Sequence, residues 1–212
     1  MKREIVINRR QEAFKEHVSG SITVLFAGDL VKRSADSTYP FIVNRNFYYL
    51  TQCDEDGLIY VQLRNAVGNK EILFIKDHNP VLEKWVGKSL TKDEAIHKSG
   101  VFMIQPLSQF ESFFARTLSR NDIQTLYIDS ERDQLTHRNS EAEHFVHRIQ
   151  RLYPGLHILN INQKLNKMRT IKSDAEVELI KEAIDVTRLG IETLVSMLKP
   201  GRFEYQAVAD FK

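Results

Sequence analysis

Residues 58–75 have the sequence LIYVQLRNAVGNKEILFI, which holds two β-prone runs on either side of a polar stretch. The first run, 58–63, and the second, 71–75, are rich in β-branched, aromatic and aliphatic side chains, and Gly68-Asn69 between them is a turn signal. This pattern predicts a β-hairpin. Because a hairpin joins two antiparallel strands, the sheet cannot be purely parallel.

Strand and helix patterns alternate on both sides of this hairpin. Further strands are predicted at 22–27, 101–104, 125–128 and 157–159. Apolar residues at helical spacing predict helices at 9–18, 107–118 and 140–152. Strands mixed with helices at these intervals predict an α/β fold, with a mixed β-sheet flanked by helices.

The pattern changes after residue 160, and we expect three parts. Residues 1–160 are predicted to form a first domain, 161–172 a linker helix, and 173–212 the start of a second domain. Ser173 with Glu176 three positions later is a capping box, which predicts the start of a long amphipathic helix. The last helical pattern has no stop signal, so we expect the chain to be truncated inside the second domain.

The composition is that of a globular protein, with 42% hydrophobic and 27% charged residues and a formal net charge of +2. This charge favours neither nucleic acid nor a membrane surface as a partner. Cys53 is the only cysteine, which excludes an intrachain disulfide and is typical of a reducing compartment. Without a signal peptide pattern or an apolar run long enough to cross a bilayer, the sequence predicts a soluble cytoplasmic protein.

The polar segment 33–41 and the aromatic run 46–51 hold the candidate functional residues. We predict the run to be a strand, whose aromatic side chains alternate between the two sheet faces and mostly fill the core. Asp36 has an alternative role in fixing its own loop. Because loops on a rigid scaffold often carry function, we name four candidates for an active-site rim or an oligomer contact: Asp36, Tyr39, Arg45 and Tyr48.

Other polar groups lack the spacing that their chemistry requires. His144 and His147 are three residues apart, whereas the zinc-peptidase motif needs four and an adjacent glutamate, so we expect Glu141, Glu143 and both histidines to lie on a solvated helix face. Residues 54–57 (DEDG) have too few alternating ligands for a calcium loop and predict a turn.

Two further groups are also expected to have no chemical role. No histidine partner is evident for Cys53, and lone cysteines are usually inert. A basic cluster without interleaved aromatic residues predicts a solvated linker face rather than a nucleic-acid site; its members are Lys164, Lys167, Arg169 and Lys172. The sequence therefore predicts no catalytic and no metal-binding residue in this chain.

Two stretches of the chain resemble a known family. RSADSTYPF at 33–41, followed by NFYYLT at 46–51, is similar to the signature of the N-terminal domain of aminopeptidase P, in the creatinase/prolidase superfamily. The segment 165–183 is similar to the opening of that family's catalytic domain, and KPG at 199–201 to its next landmark. Gln52 departs from the pattern, because the family usually has glycine there.

The resemblance implies an architecture and an activity. Such enzymes join an N-terminal mixed α/β domain to a C-terminal "pita-bread" domain that binds two divalent metal ions, commonly manganese, through two Asp, one His and two Glu. A metal-bridging hydroxide attacks the carbonyl before a penultimate proline and releases the N-terminal residue. Those ligands lie beyond this chain, so the resemblance implies that the chain alone is inactive. Its role would be to restrict substrate access and to form a homo-oligomer.

Two alternatives share this architecture. One is prolidase, which takes Xaa-Pro dipeptides, or its relative creatinase. The other is a non-catalytic binding module of the pita-bread type, like the histone-chaperone relatives that have lost the metal ligands. The downstream sequence, with or without the five ligands, would separate them. The balanced charge favours the enzyme, because histone binding usually involves acidic tracts.

Overall fold

The computed structural model describes residues 3–120, 122–132, 134 and 139–211. Contacts divide the chain into two compact units, Met1–Arg169 and Thr170–Lys212. The strands, all in the first unit, are β1 (Ser21–Phe26), β2 (Lys32–Ser34), β3 (Ser37–Thr38), β4 (Ile59–Asn65), β5 (Gly68–Ile75), β6 (Met103–Pro106), β7 (Thr125–Ile128) and β8 (His157–Asn160). The helices are α1 (Arg3–Phe14), α2 (Arg45–Thr51), α3 (Pro80–Val86), α4 (Lys92–Ser99), α5 (Phe110–Arg120), α6 (Glu141–Leu152), α7 (Asn162–Thr170), α8 (Asp174–Met197) and α9 (Glu204–Phe211).

Six strands form one mixed sheet in the order β6-β5-β4-β1-β7-β8, and β2 pairs with β3 in a separate small hairpin. Strand β4 is antiparallel to both of its neighbours, and the remaining pairs in the large sheet are parallel. The predicted β4–β5 hairpin is confirmed, but its turn lies earlier than Gly68-Asn69. Asn65 pairs with Gly68, because the Asn65 side chain accepts hydrogen bonds from the backbone of Val67 and Gly68 and closes the turn there.

Side chains on both faces of the sheet are buried, and helices cover each face. One cluster, with α1, α2, α4 and α7, includes Phe14, Leu25, Phe47, Leu50, Tyr60, Leu73, Ala95 and Leu165. The other, with α5 and α6, includes Ile22, Val24, Phe26, Phe74, Phe110, Phe114 and Phe145. Adjacent residues of one strand alternate between the clusters because strand side chains point to opposite faces. The predicted mixed sheet flanked by helices is confirmed.

The predicted strand at 46–51 is wrong, because these residues form helix α2. Asn44 caps the helix, and its side-chain oxygen accepts hydrogen bonds from the backbone N–H groups of Asn46 and Phe47. Phe47 and Leu50, three residues apart, are both fully buried on one side of the helix. The helix ends at Gln52, which adopts a left-handed conformation with a φ of 56°. Capping and tertiary packing therefore override the β propensity of the aromatic run.

Gly20 lies in a connection where a side chain does not fit. Its φ is +74°, and a Cβ atom there would lie 2.6 Å from the backbone oxygen of Asp122. We expect Gly20→Ala to lower the free energy of unfolding by about 2–3 kcal/mol, because backbone strain adds to the clash. The matched control is Gly155→Ala, since no atom lies within 4 Å of the added Cβ. Urea unfolding of both variants checks this, and equal losses would contradict it.

The second unit consists of α8 and α9. The predicted capping box is confirmed: Ser173 caps α8, and the Glu176 carboxylate accepts a hydrogen bond from the Ser173 backbone N–H at 2.9 Å. The ring of Phe211 on α9 packs close to Gly190 of α8. Many apolar side chains of α8 are exposed, among them Ile184, Val186, Leu189 and Val195. None of the helices in the described part of the chain has both the length and the apolar character needed to span a membrane.

Candidate functional site

The four predicted rim residues are exposed and fall into two pairs. Asp36 lies in the tight turn between β2 and β3, and Tyr39 follows β3, with the guanidinium of Arg33 5.9 Å from the centre of its ring. Arg45 begins α2, and Tyr48 lies one turn further along the same helix. Tyr39 is 53% exposed and Tyr48 41%. They are therefore available for contacts outside the domain, and their role stays a prediction.

The structure shows the surroundings of the side chains that were considered as metal ligands in the sequence. Within the residues that the structure describes, no group of three or more His, Cys, Asp or Glu side chains could hold a metal ion. His144 and His147 are exposed on α6, as expected. The expectation of a solvated face is wrong for the two glutamates: Glu143 takes part in the capping box at the start of that helix, and the Oε2 atom of Glu141 is buried. The residues present do not fit the metal pair that the resemblance implies, so no metal-dependent step is derived for this chain.

The structure also shows the contacts of the DEDG segment and the burial of Cys53. Glu55 accepts a hydrogen bond from the backbone N–H of Leu90, and Asp56 forms an ion pair with Lys76. These contacts fix the segment as a turn before β4, as predicted. Cys53 is fully buried, and this burial raises the pKa of its thiol to about 12. The thiol therefore stays protonated at neutral pH and is a poor nucleophile.

The carboxyl ends of β1, β7 and β8 meet at one edge of the sheet because these strands are parallel. After β1 the chain continues through α2 to β4 on one side, and after β7 it continues through α6 to β8 on the other side. Diverging connections open a crevice at such an edge, and ligands of open α/β sheets bind there. The edge between β1 and β7 is therefore the candidate site.

A buried polar network lies at this edge. Asp129, directly after β7, is 5% exposed, and its Oδ1 accepts hydrogen bonds from the side-chain amides of Asn46 at 3.1 Å and Asn162 at 2.8 Å. The Asn46 oxygen in turn accepts a hydrogen bond from Arg169 Nη1 at 3.0 Å. Burial raises the pKa of Asp129, although its hydrogen bonds act in the opposite direction. The network joins α2, β7 and α7.

The expectation of a solvated basic face is wrong for Arg169. It is half-buried, and its Nη1 also lies 3.4 Å from the Asn166 oxygen. Lys164 pairs with Glu16 at 2.8 Å. The two cations therefore have different surroundings, because α7 packs Arg169 against the sheet edge while Lys164 remains near the surface.

Two neighbouring cavities form the crevice. The first, of about 280 Å³, lies between the ends of β1 and β7 and the start of α6, and is lined by Gly28, Asn44, Asp129, Glu131 and Glu141, among others. The second, of about 500 Å³, shares Asn44 and Glu131 with the first and is also lined by Arg45, Asn166 and Arg169. Volumes of this size are typical of small-molecule sites.

Sequence reasoning missed Asn46, Asp129 and Asn162, and it placed Glu141 on a solvated helix face. A signal was present, because Asp129 directly follows the predicted strand 125–128 and Asn162 follows the predicted strand 157–159. Polar residues after neighbouring parallel strands converge at one edge of a sheet. The strand order was needed to apply this rule, and the sequence did not provide it.

The fold defines the class of this protein, and comparison with known proteins identifies its family. The fold is a mixed-sheet α/β domain with a ligand-sized crevice at its carboxyl edge. The chain belongs to the family described as "Aminopeptidase P, N-terminal domain", which matches residues 6–127, more than half of the sequence. This confirms the resemblance seen in the sequence.

Named relatives agree with this assignment. A Xaa-Pro aminopeptidase of Haemophilus influenzae is 28% identical over 206 residues, covering 95% of this chain and 45% of the relative. A protein from Bacillus anthracis assigned as an aminopeptidase P matches all of this chain and 50% of its own, with a TM-score of 0.90 and 34% identity. Aminopeptidase P from E. coli, solved with the inhibitor Pro-Leu, gives a TM-score of 0.82 and 25% identity, with coverage of 100% and 48%. The chain thus spans about half the length of these relatives.

Proposed function

We propose that this chain is the substrate-restricting, oligomer-forming N-terminal part of a dinuclear-metal Xaa-Pro aminopeptidase. The whole enzyme would remove the N-terminal residue from peptides with a penultimate proline. The observation that carries the proposal is the match of the whole chain, at a TM-score of 0.90, to the Bacillus anthracis protein assigned as an aminopeptidase P. The relative from H. influenzae bears the name of this activity.

In this proposal the chemistry of hydrolysis belongs to residues outside the chain. The metal pair, which we propose to be manganese, would supply the activated water there. The E. coli enzyme has been solved in a zinc-substituted form with product. We also propose a cytoplasmic location, which is supported by the lone, buried and unpaired thiol of Cys53.

The second unit is proposed to open the catalytic domain, with residues 1–160 as the N-terminal domain and 161–172 as the linker. Helix α8 has an apolar pattern but no buried residue. A helix with exposed apolar residues over its whole length normally packs against further structure. This supports a continuation of the fold around α8.

The rim role is proposed for Asp36, Tyr39, Arg45 and Tyr48. Ile42 lies between the two pairs and is 81% exposed, so an apolar contribution accompanies the polar groups. Exposed apolar clusters with polar neighbours often mark protein interfaces. We propose that this rim contacts another subunit in a homo-oligomer and borders the entrance for a peptide.

The activity can be tested on two proteins, this chain and the product of its complete reading frame. With manganese, we expect no hydrolysis of Xaa-Pro peptides by the chain alone, because it lacks a metal cluster among its described residues. The complete product should release the residue before proline, and should fail on the same peptide with alanine in place of proline. Chelator-sensitive turnover by the chain alone, or none by the complete product, would refute the proposal.

The rim assignment needs a separate measurement in the complete product. We expect Asp36→Ala or Tyr48→Ala to change kcat/KM several-fold for peptides of about five residues, while an Xaa-Pro dipeptide is affected less. Lys15→Gln is the control, since the Lys15 side chain is exposed and forms its ion pair with Glu12, three residues away on α1. Equal effects on long and short peptides would remove these residues from the rim. Hydrolysis of dipeptides alone would instead identify a prolidase.

A further inference from the structure

The crevice between β1 and β7 contains a carboxylate oxygen that no described residue satisfies. Glu141 is the first residue of α6, and its Oε2 is buried without a hydrogen-bond partner among the residues that the structure describes. Glu143, on the same turn, accepts a hydrogen bond from the Ser140 backbone and forms an ion pair with Arg132. Burying a polar atom without a partner is costly, so native proteins rarely leave one unexplained.

The surroundings of Glu141 favour the binding of a positively charged group. Burial, with the nearby negative charge of Asp29, raises the pKa of Glu141 to about 7. Glu131 lines the same cavity, and Arg132, the cation among its described lining residues, is already held by Glu143 and Asn139. A ligand ammonium group would give the Glu141 oxygen the donor that it lacks.

The adjoining cavity has the opposite charge. It is lined by two cations, Arg45 and Arg169, and one carboxylate, Glu131, and it shares the lining residues Asn44 and Glu131 with the first cavity. Arg169 uses Nη1 within the Asn46 network, but Arg45 is exposed and makes no hydrogen bond or ion pair with the described residues. A guanidinium that is free to turn toward a cavity is well suited to bind a carboxylate through two parallel hydrogen bonds.

We propose that this crevice binds a small peptide-like zwitterion, with its α-ammonium group at Glu141 and its carboxylate at Arg45. The proposal uses the unpartnered carboxylate oxygen, the opposite charges of two neighbouring cavities that share lining residues, and their position at the carboxyl edge of the sheet. No metal and no hydrolysis are involved, so the site does not depend on the proposed function. Binding here would be a property of the N-terminal domain itself.

The test is calorimetric titration of this chain at pH 8, where Glu141 is ionised, with the dipeptide Ala-Leu. Acetyl-Ala-Leu lacks the ammonium group, and Ala-Leu-amide lacks the carboxylate. We expect each modification to weaken binding about tenfold, since a charge-assisted hydrogen bond is lost. Free leucine tests whether a shorter zwitterion spans the two charges, and tighter binding than Ala-Leu would also support the site.

Two variants assign the charges to their partners. Glu141→Gln should weaken the binding of Ala-Leu about tenfold, and this variant should bind acetyl-Ala-Leu as tightly as Ala-Leu. Arg45→Met should likewise weaken the binding of Ala-Leu about tenfold and should bind Ala-Leu-amide as tightly as Ala-Leu. Glu111→Gln is the control, because Glu111 is an exposed carboxylate on α5 that pairs with Arg148 and does not line the crevice. Absence of binding to Ala-Leu and leucine up to roughly 10 mM, which corresponds to less than about 3 kcal/mol of binding energy, would overturn the proposal. So would binding that Glu141→Gln leaves unchanged, and Glu141 would then be a merely hydrated carboxyl group.

Discussion

Arg10→Ala is expected to lower the free energy of unfolding by about 3–5 kcal/mol, the largest effect of any single change considered. The side chain is only 1% exposed, and its Nε and Nη2 donate to the two oxygens of Glu71 at 3.1 and 3.0 Å. Its Nη1 donates to the backbone oxygens of Leu50 and Ser99 at 2.9 and 2.7 Å. Alanine would leave a carboxylate and two carbonyl groups without these donors, next to Tyr60, whose hydroxyl also donates to Glu71.

Urea unfolding monitored by circular dichroism measures this loss. Lys15→Ala is the matched control, because its ion pair with Glu12 is exposed to solvent and should contribute little to stability. The double variant Arg10→Met with Glu71→Met should cost less than Arg10→Ala alone, because it removes both charges and fills the space. A loss for Arg10→Ala similar to that of Lys15→Ala would show that the buried pair does not stabilise the fold.

The sheet was predictable because each strand shows its character locally. The apolar runs at 22–27 and 125–128 match β1 and β7 within one residue, and the hairpin fixed the mixed direction of the sheet. Helix α1 was misplaced, since 9–18 was predicted and Arg3–Phe14 is observed. The chain leaves the helix at Phe14, where the His17 backbone N–H bonds to the Phe14 oxygen and their rings lie 5.0 Å apart. This tight turn depends on packing that no periodicity shows.

The candidate site was less predictable, because its partners are distant in sequence. Asn46 and Asp129 are 83 residues apart, and Asn162 and Asp129 are 33 apart. Their side chains meet only after the strand order is set. Asp36, Tyr39, Arg45 and Tyr48 came from a family resemblance and a loop argument. The crevice came from topology, and Arg45 is the residue that belongs to both.

Asp129→Ala is the second change with a large expected effect, a loss of about 2–4 kcal/mol in the free energy of unfolding. Two amide donors, from Asn46 and Asn162, end on the same oxygen, Oδ1. Alanine leaves these buried amides without an acceptor, and each such group costs about 1–3 kcal/mol. Asp129→Asn keeps one carbonyl oxygen in the same place, so we expect a loss below about 1 kcal/mol at pH 4.

The pH dependence separates the charge of Asp129 from its geometry. Burial raises the folded-state pKa above the ordinary value of 3.8, so the charged form is less favourable in the folded protein. The contribution of this carboxyl group to stability is therefore full below pH 3.8 and is lost as the pH rises through the folded pKa. Asparagine does not titrate and has no such loss. The free energy of unfolding of Asp129→Asn should therefore rise relative to that of the native protein between pH 4 and pH 8. Urea unfolding at both values measures this, with Asp54→Asn as an exposed control. If Asp129→Asn is as harmful as Asp129→Ala at both, then the charge itself, and not the acceptor oxygen, holds the network together.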